Sequence, residues 1–440
     1  MSFFTFPAGK GLTAALGVLF ASSILGCAWA GDGERREALS LKPVAESVAG
    51  HYGHLDRLIA LALQKHPSIA SARAELGATQ SEIASARNQY LPTPSLQMQQ
   101  ETGETATVLT LQQPLWTGGR LDAGLAVAKS RADAAQASIA DAQYGLALRV
   151  TAAWAAWMQA RGRIEALAEG IDLLNVYTES VSRRIRGGSS AEVDRELVAA
   201  RLAQTQGDLA AARAAERSAL AQLSQMVGQP LRSEDLATGM ADAAEVPLPA
   251  LDALIEQAVA RSAALKRLEA DLEASRRGTD KKRAALLPSV SLRAQREHGG
   301  TPANGIAAND SRVMLVLEYA PGAGFSAGTE VEAAVAREEG LRERREAAKA
   351  ELIEKVSTDY EEHRASLERQ REARRTATAS AEVLASYDRL FVAGKRSWLD
   401  VINAARELIQ ARTALTDVEA QRLATRARLR LHAWEMFGTP

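Results

Sequence analysis

The stretch Leu109–Ala128, LTLQQPLWTGGRLDAGLAVA, changes from one structural period to another within a few residues. Leu109 and Leu111 alternate with polar residues, which predicts a β-strand with one apolar face. The letters PLWTGG then interrupt the strand pattern. From Leu121 onward, mostly small apolar residues recur at steps of four and three, as in the seam of a coiled-coil helix. A strand that passes directly into a very long helix decides the fold.

The same order of elements occurs a second time. Leu315–Gly328, LVLEYAPGAGFSAG, matches the stretch quoted above at an offset of 206 residues. Upstream, the LDxLI motif at Leu55 returns at Leu251, an offset of 196. Self-similarity at a nearly constant spacing indicates one structural unit present twice. We therefore predict two structural repeats, residues 55–250 and 251–440.

Each repeat contains two strands followed by a helical hairpin. The helix predicted from Arg120 to Arg186 has no proline over 67 residues and, at 1.5 Å per residue, is about 100 Å long. Its counterpart, from about Ser326 to Val392, has the same length. The strands are expected at about 95–100, 107–113, 289–296 and 312–319, and the hairpins at 120–227 and 326–437.

The strands have one apolar and one largely polar face, since Leu96 and Met98 alternate with Ser95 and Gln97. Outer-membrane barrels show this alternation, with lipid on one side and water on the other. Four strands cannot close a barrel, which needs about eight, and open edges in lipid must pair with other chains. The predicted fold is mainly α, with coiled-coil hairpins and four strands per chain that form part of a small membrane β-barrel.

Residues 1–30 have the layout of a secretory signal peptide. Lys10 precedes an apolar stretch, and the letters AWA, ending at Ala30, resemble a cleavage site. The only cysteine, Cys27, follows the letters ILG in a pattern similar to a lipoprotein processing site. Two outcomes stay open, cleavage after Ala30 or lipidation of Cys27. Residues 31–54 are then expected to form a flexible mature N-terminus, and no disulfide framework is available.

Charge and isolated polar motifs argue against several functions. With 53 basic and 54 acidic residues, the chain lacks the charge excess of a nucleic-acid-binding protein. His51 and His54 have no third metal ligand at a suitable spacing. The letters EEH at Glu361–His363 lack the second histidine of a zinc-protease helix. We predict no enzymatic activity, no cofactor, no metal site and no nucleic-acid partner.

The second repeat also contains a motif that suggests a different function. Gly322-x-Gly324-x-x-Ala327 follows a strand and resembles a dinucleotide-binding fingerprint. Such a site needs a second strand ending in an acid about 20 residues later. A long helix follows instead, and the repeat pairs Gly324 with Gly118. We interpret these positions as the joint that turns a membrane strand into a long helix. The joint residues are Pro114, Gly118, Gly119, Pro321, Gly322 and Gly324.

Taken together, these stretches resemble the TolC-like outer-membrane efflux proteins. The resemblance covers about Leu55 to Phe437 and rests on the two quoted stretches and on the paired turns RGGSSAEVD and AGKRSWLD. It implies a homotrimer whose twelve-stranded barrel, in the outer membrane of a Gram-negative bacterium, continues into an α-helical tunnel across the periplasm. Outer-membrane lipid, a periplasmic membrane-fusion (adaptor) protein and an inner-membrane ABC exporter or other pump are the implied partners.

By the same resemblance, the adaptor docks at the turns of the two helical hairpins. Taken alone, these residues are ordinary solvated turns in which glycine permits the chain reversal. The predicted docking residues are Gly187, Gly188, Ser189, Ser190, Gly394, Lys395, Arg396 and Ser397.

Asp194 and Asp400 begin the returning helices, where an acid also complements the helix dipole. The resemblance implies that Asp400 contributes to a carboxylate ring at the periplasmic constriction. The second acid expected three residues later is Asn403, which predicts one full ring and a less negative entrance. The residues that hold the family's periplasmic mouth shut correspond to Phe391, Arg396 and Asp194. Because Phe391 has no hydroxyl, an Arg396–Asp194 charge pair is the remaining predicted latch.

Two classes of function stay open, an export channel and a periplasmic coiled-coil adaptor or scaffold. An adaptor is expected to carry a β domain between its hairpin helices, and no such domain fits at either turn. Within the channel class, the letters QQPLWTGGR and the short segment between Ala30 and Leu55 favour the exit duct of type I protein secretion over that of a multidrug efflux pump. Either duct is a passive conduit gated at its periplasmic end.

Overall fold

A computed structural model describes residues 53–101, 104–236, 248–298, 311–320, 322–323 and 326–433. The signal segment with Cys27, and the joint residues Pro321 and Gly324, lie outside these ranges. The helices are α1 (Gly53–Lys65), α2 (Pro67–Asn88), α3 (Arg120–Arg186), α4 (Glu192–Val227), α5 (Ser233–Leu236), α6 (Leu251–Arg261), α7 (Ala263–Ala284), α8 (Ala327–Val392) and α9 (Trp398–His432). The strands are β1 (Thr93–Glu101), β2 (Glu104–Trp116), β3 (Ser289–His298) and β4 (Ser311–Glu318).

Two very long helices, α3 and α8, follow the sheet strands in each repeat. They contain 67 and 66 residues, so each is about 100 Å long. Alanine, leucine, arginine and glutamate, all good helix formers, dominate both sequences, and neither contains proline. With their returning helices α4 and α9, they form the two predicted hairpins, so the mainly α fold class with four antiparallel strands is confirmed.

Helix α3 joins the two repeats. It packs against α2 and α4 of its own repeat and against α7 and α9 of the second, whereas α8 packs against α6, α7 and α9. Within the described part of the chain, no helix combines the length and the apolarity that a membrane crossing requires.

The described helices enclose three apolar cores, of which the smallest lies between α6 and α8 and includes Leu254 and Val356. The middle core lies where α1 meets the centre of α3 and the C-terminal ends of α4 and α9, and it includes Leu55, Trp157 and Leu431. The tip core lies near the hairpin turns and includes Val181 of α3 and Ile402 of α9. Each fully buried aliphatic side chain stabilises the fold by roughly 1.5–3 kcal/mol, so these cores hold the hairpins together.

The four strands form one antiparallel sheet in the order β1-β2-β3-β4. Three of the four strands are longer than the alternation predicts, because backbone pairing continues through polar end pairs such as Gln100 with Thr105. Pro114 lies inside β2 at an irregularity in the register with β3. A proline has no N–H to donate, so a strand accepts it at such an irregularity.

The sheet exposes its apolar face, whereas its largely polar face is partly buried on β2, β3 and β4. Met98, Val313 and Leu317 are each 70% exposed, whereas Arg293 and Gln295 on the opposite face are only half-exposed. Water-soluble sheets have the opposite arrangement, and an exposed apolar surface of this kind marks a contact with lipid or protein. The sheet therefore has the pattern of a lipid-facing surface around a polar interior.

Candidate functional site

The two hairpin turns have the same backbone motif. After α3, the N–H of Ser189 donates to the carbonyl of Arg184, with a nitrogen–oxygen distance of 2.8 Å. After α8, the N–H of Lys395 donates to the carbonyl of Leu390, also at 2.8 Å. A bond from the second residue beyond the C-cap back into the last turn of the helix is the Schellman motif. Both turns are thus rigid caps that end the long helices.

The glycine that each motif requires is Gly188 in the first turn and Gly394 in the second. Their φ angles are 69° and 70°, in the left-handed region that residues with a Cβ avoid. Gly187 has φ −85°, so the reversal depends on Gly188 and Gly394 alone. The side chain of Lys395 is exposed and available to a partner.

The returning helix α9 begins with a capping box. The hydroxyl of Ser397 donates to Asp400 Oδ2 at 2.9 Å, the Ser397 N–H donates to the same oxygen at 3.2 Å, and the Asp400 N–H donates to Ser397 Oγ at 3.2 Å. These two bonds from Ser397, with a smaller contribution from Arg396, lower the pKa of Asp400 below its usual range. Asp400 is therefore an ionised carboxylate that also caps its own helix.

The two predicted gate acids differ in their local partners. Ala191, the residue before α4, makes no side-chain cap, and in the described ranges the Asp194 carboxylate has no hydrogen-bond or ion-pair partner. Asn403 lies half-buried one turn after Asp400, on the same helix face. Asp194 is therefore the acid that stays free for a contact with another chain.

The predicted latch residue Arg396 contacts its own hairpin. Its Nη1 atom lies 3.8 Å from Asp400 Oδ2, and its guanidinium stacks 4.5 Å from the ring centre of Tyr387. Within the described part of one chain, Arg396 forms no ion pair with Asp194. Arg396 lies in the turn just before the cap residue Ser397, so it reaches Asp400 in the first turn of α9 without any movement between hairpins. A latch between different chains stays a prediction.

Phe391, the other predicted gate residue, belongs to the tip core. It is buried, its ring lies 5.0 Å from that of Trp398, and the guanidinium of Arg184 lies 4.2 Å above it. A phenylalanine at this position contributes packing and a cation–π contact between α3 and α8. It joins the two hairpins through apolar contact rather than through a hydroxyl.

A hydroxyl–carboxylate contact occurs nearby, between two residues that the sequence did not single out. The hydroxyl of Tyr177 on α3 contacts both carboxylate oxygens of Asp388 on α8. The repeat contains a signal for this pair, because the positions 206 residues away are Val383 and Ser182. The two repeats therefore differ at both positions, and the bond occurs only in this combination of hairpins.

At the joint between sheet and long helices, three glycines adopt the left-handed backbone conformation that glycine favours. Gly118, Gly119 and Gly322 have φ angles of 61°, 86° and 84°, all in the left-handed region. A Cβ on Gly118 would lie only 2.8 Å from the Cβ of Leu287, so no larger residue fits there without displacement. The turn from β2 into α3 in the first repeat therefore depends on glycine at positions 118 and 119.

Comparison with known proteins identifies this class of structure. The model of the family described as "Outer membrane efflux protein" matches residues 58–229 and 254–433, one match for each repeat. The cobalt-zinc-cadmium resistance protein CzcC of Cupriavidus metallidurans is 26% identical over 390 residues, covering 87% of this chain and 90% of the relative.

Two solved structures have the same fold. CusC superimposes with a TM-score of 0.74 at 16% identity, covering 86% of this chain and 92% of the other. VceC from Vibrio cholerae superimposes with a TM-score of 0.73 at 16% identity, covering 86% and 95%. The chain belongs to the outer membrane efflux protein family, whose members are channels rather than enzymes, and it lies in the outer membrane and extends into the periplasm.

Proposed function

We propose that three copies of this chain form the exit duct of a tripartite efflux machine that exports divalent transition-metal cations. The main evidence for a duct of several chains is the four-stranded sheet. It exposes its apolar face and ends in the two edge strands β1 and β4. In lipid, backbone groups on open edges cost several kcal/mol each unless they are paired. Pairing β4 of one copy with β1 of the next closes a twelve-stranded barrel.

The helices support the same assembly. Helix α8 packs on α7 and α9 within the chain, and many of its polar side chains are exposed. Helix α4 exposes alanines and glycine, among them Ala199, Ala203, Gly207 and Ala210, which permit close approach of another helix. In a ring of three chains, α8 of one copy would pack against α2 and α4 of its neighbour. The tunnel would then continue directly below the barrel.

The substrate proposal rests on the relative CzcC, whose name states cobalt, zinc and cadmium resistance. A ring containing Asp400, which stays ionised because of its bonds to Ser397, would favour cations over anions at the periplasmic mouth. Type I protein secretion, which the sequence alone favoured, has no support in these comparisons and stays a prediction. The duct is passive, so the pump beneath it selects the cargo.

The two Schellman turns are the proposed contact with the periplasmic adaptor. Both are rigid, and Ser189 and Lys395 are exposed at their ends. A preformed turn lowers the entropy lost on docking. The adaptor would connect these turns to the inner-membrane pump.

Deletion of the gene tests the substrate class. We expect growth inhibition by Co²⁺, Zn²⁺ and Cd²⁺ at lower concentrations than in the parent strain, with tolerance restored by the gene on a plasmid. Unchanged metal tolerance together with loss of a protein from the culture medium would instead support type I secretion. Greater drug sensitivity alone would support a multidrug duct.

Electrophoresis of the unheated, detergent-extracted outer membrane tests the trimer, which a monomer band would contradict.

A further inference from the structure

The last two turns of α7 carry a basic cluster directly before the sheet. Residues 276–283, RRGTDKKR, contain five basic residues and one acid. Side chains of Lys282 and Arg283 are 48% and 59% exposed, and Lys281 is exposed as well. Strand β3 begins at Ser289, so the cluster lies less than two helical turns from the strand that enters the membrane.

The other repeat provides a matched comparison. At the offset of 196, the end of α2 has QSEIASAR over residues 80–87, with one basic residue and one acid. Both helices end just before a strand, and cations near a helix C-terminus complement its dipole in either case. Since α2 ends with a single arginine, the dipole does not account for the cluster on α7.

The cations in the cluster are only weakly neutralised within the chain. Lys282 Nζ lies 2.5 Å from Glu330 Oε2, and Arg283 Nη1 lies 3.5 Å from Asp280 Oδ1. Both pairs are about half-exposed, and such pairs contribute little to stability. Among the described residues, Lys281 has no carboxylate within ion-pair distance. Arg276 and Arg277 are paired with Glu273, Glu338 and Asp280, so the positive charge available to a partner lies on Lys281, Lys282 and Arg283.

An exposed belt of apolar and aromatic side chains adjoins the cluster. Leu287 and Trp116 are each 49% exposed, and Tyr319 is 58% exposed. Tryptophan and tyrosine are enriched at the level of lipid headgroups, where one end of the ring is apolar and the other is wet. These rings mark the periplasmic boundary of the membrane, and the basic cluster lies at the headgroup level just beyond it.

We propose that Lys281, Lys282 and Arg283 bind the phosphate headgroups of anionic phospholipids in the periplasmic leaflet of the outer membrane. Juxtamembrane cations attract an anionic surface over about a Debye length. The site occurs once per chain, at the joint of the second repeat. The inference rests on the sheet lying in the outer membrane and is independent of the exported substrate.

Native mass spectrometry of the full-length protein in detergent tests this site. The probe is an equimolar mixture of phosphatidylglycerol and phosphatidylcholine, and retained lipid is counted for each. We expect wild type to retain phosphatidylglycerol preferentially, and the triple variant Lys281→Gln, Lys282→Gln, Arg283→Gln to retain on the order of tenfold less of it. The matched control is Arg364→Gln, Arg371→Gln, Arg375→Gln, three exposed cations in the middle of α8, and it should behave as wild type.

Equal retention of both lipids by wild type, or an unchanged preference in the triple variant, would overturn the proposal. If the triple variant does not assemble, Lys281→Gln alone replaces it, because Lys281 has no ion partner in the described ranges and its loss breaks no bond. The preference of that variant for phosphatidylglycerol over phosphatidylcholine should be severalfold lower than that of wild type. Metal tolerance of cells carrying the single variant should stay normal, which separates this site from the export function.

Discussion

The Tyr177 hydroxyl on α3 lies 2.8 Å and 3.0 Å from the two carboxylate oxygens of Asp388 on α8. Burial, and then the bond to Asp388, raise the pKa of Tyr177, so it stays a donor at neutral pH. The bond joins the first hairpin to the second near the turns. If the periplasmic end opens by separation of the hairpins, this bond must break.

We therefore predict that Tyr177→Phe favours the open duct. The ring still packs at right angles to Trp398, 5.5 Å between centres, and only the hydrogen bond is lost, which is worth about 1.5–3 kcal/mol for a charged acceptor. Single-channel conductance in a planar bilayer should rise. The control is Tyr387→Phe, whose hydroxyl has no hydrogen-bond partner among the described residues. Equal conductance of both variants would contradict the role of the bond.

The predicted latch between Arg396 and Asp194 gives a different pattern of conductance among variants. If Arg396 pairs with Asp194 of another chain in the closed duct, Arg396→Ala and Asp194→Ala should each raise conductance, and the double variant should add nothing further. If Arg396 acts only through Asp400 and Tyr387, which it contacts within the chain, Asp194→Ala should leave conductance unchanged. Conductance of the three variants in one bilayer assay distinguishes these outcomes.

Asp400 has two proposed roles, as the cap of α9 and as a negative charge at the mouth of the channel. Substitution of Ser397 and of Asp400 itself separates them. Ser397→Ala removes the cap hydroxyl and should lower stability by about 1 kcal/mol, while the carboxylate and its charge remain. Asp400→Asn keeps an acceptor for the Ser397 N–H but removes the charge, so it should reduce the cation preference of the channel. Reversal potentials in a salt gradient measure the preference. A loss of selectivity in Ser397→Ala equal to that in Asp400→Asn would show that the cap, not the charge, is responsible.

The sequence predicted the long helices and the strand faces because both depend on local periodicity. Helix α3 begins and ends at the predicted residues, Arg120 and Arg186. The glycines in the turns were recognisable for the same local reason. The partners of Arg396 and Tyr177 were not predictable in this way, because contacts between helices depend on their relative stagger. Tyr177 and Asp388 are separated by 211 residues, so no local pattern relates them, and only the comparison of the two repeats marks their positions as different.

Two glycines of α3, Gly162 and Gly170, lie where side chains of α9 come close to the α3 backbone. A Cβ on Gly170 would lie 2.8 Å from side-chain atoms of Ile409, and one on Gly162 would lie 2.9 Å from Thr416. We predict that Gly170→Val forces α3 and α9 apart and lowers stability by about 1–3 kcal/mol. Gly145→Val is the control on the same helix, since nothing lies within 4 Å of its Cβ position. Equal apparent melting temperatures for the two variants would contradict this interpretation.

Acid stability should depend on Asp359 in α8. Its carboxylate lies 2.8 Å from His432 Nε2 and accepts a bond of 2.8 Å from Arg428 Nε. Burial alone would raise the pKa of Asp359, but the bonds from His432 and Arg428 outweigh burial and lower it below the usual 3.8. Because the pKa is lower in the folded state, the ionised form stabilises the fold above about pH 4, and this contribution is lost as the pH falls through the folded pKa.

Asp359→Asn should therefore melt below wild type at neutral pH, since Arg428 and His432 lose a charged acceptor and keep only a neutral amide oxygen. The difference in apparent melting temperature should shrink as the pH is lowered below 4, because wild type then loses the same charge by protonation. Glu361→Gln, an exposed acid two residues away on α8 with one ion pair, should follow wild type at every pH. If the difference in apparent melting temperature between Asp359→Asn and wild type stays constant from pH 7 to pH 3, the shape of the Asp359 side chain, not its charge, sets its contribution to stability.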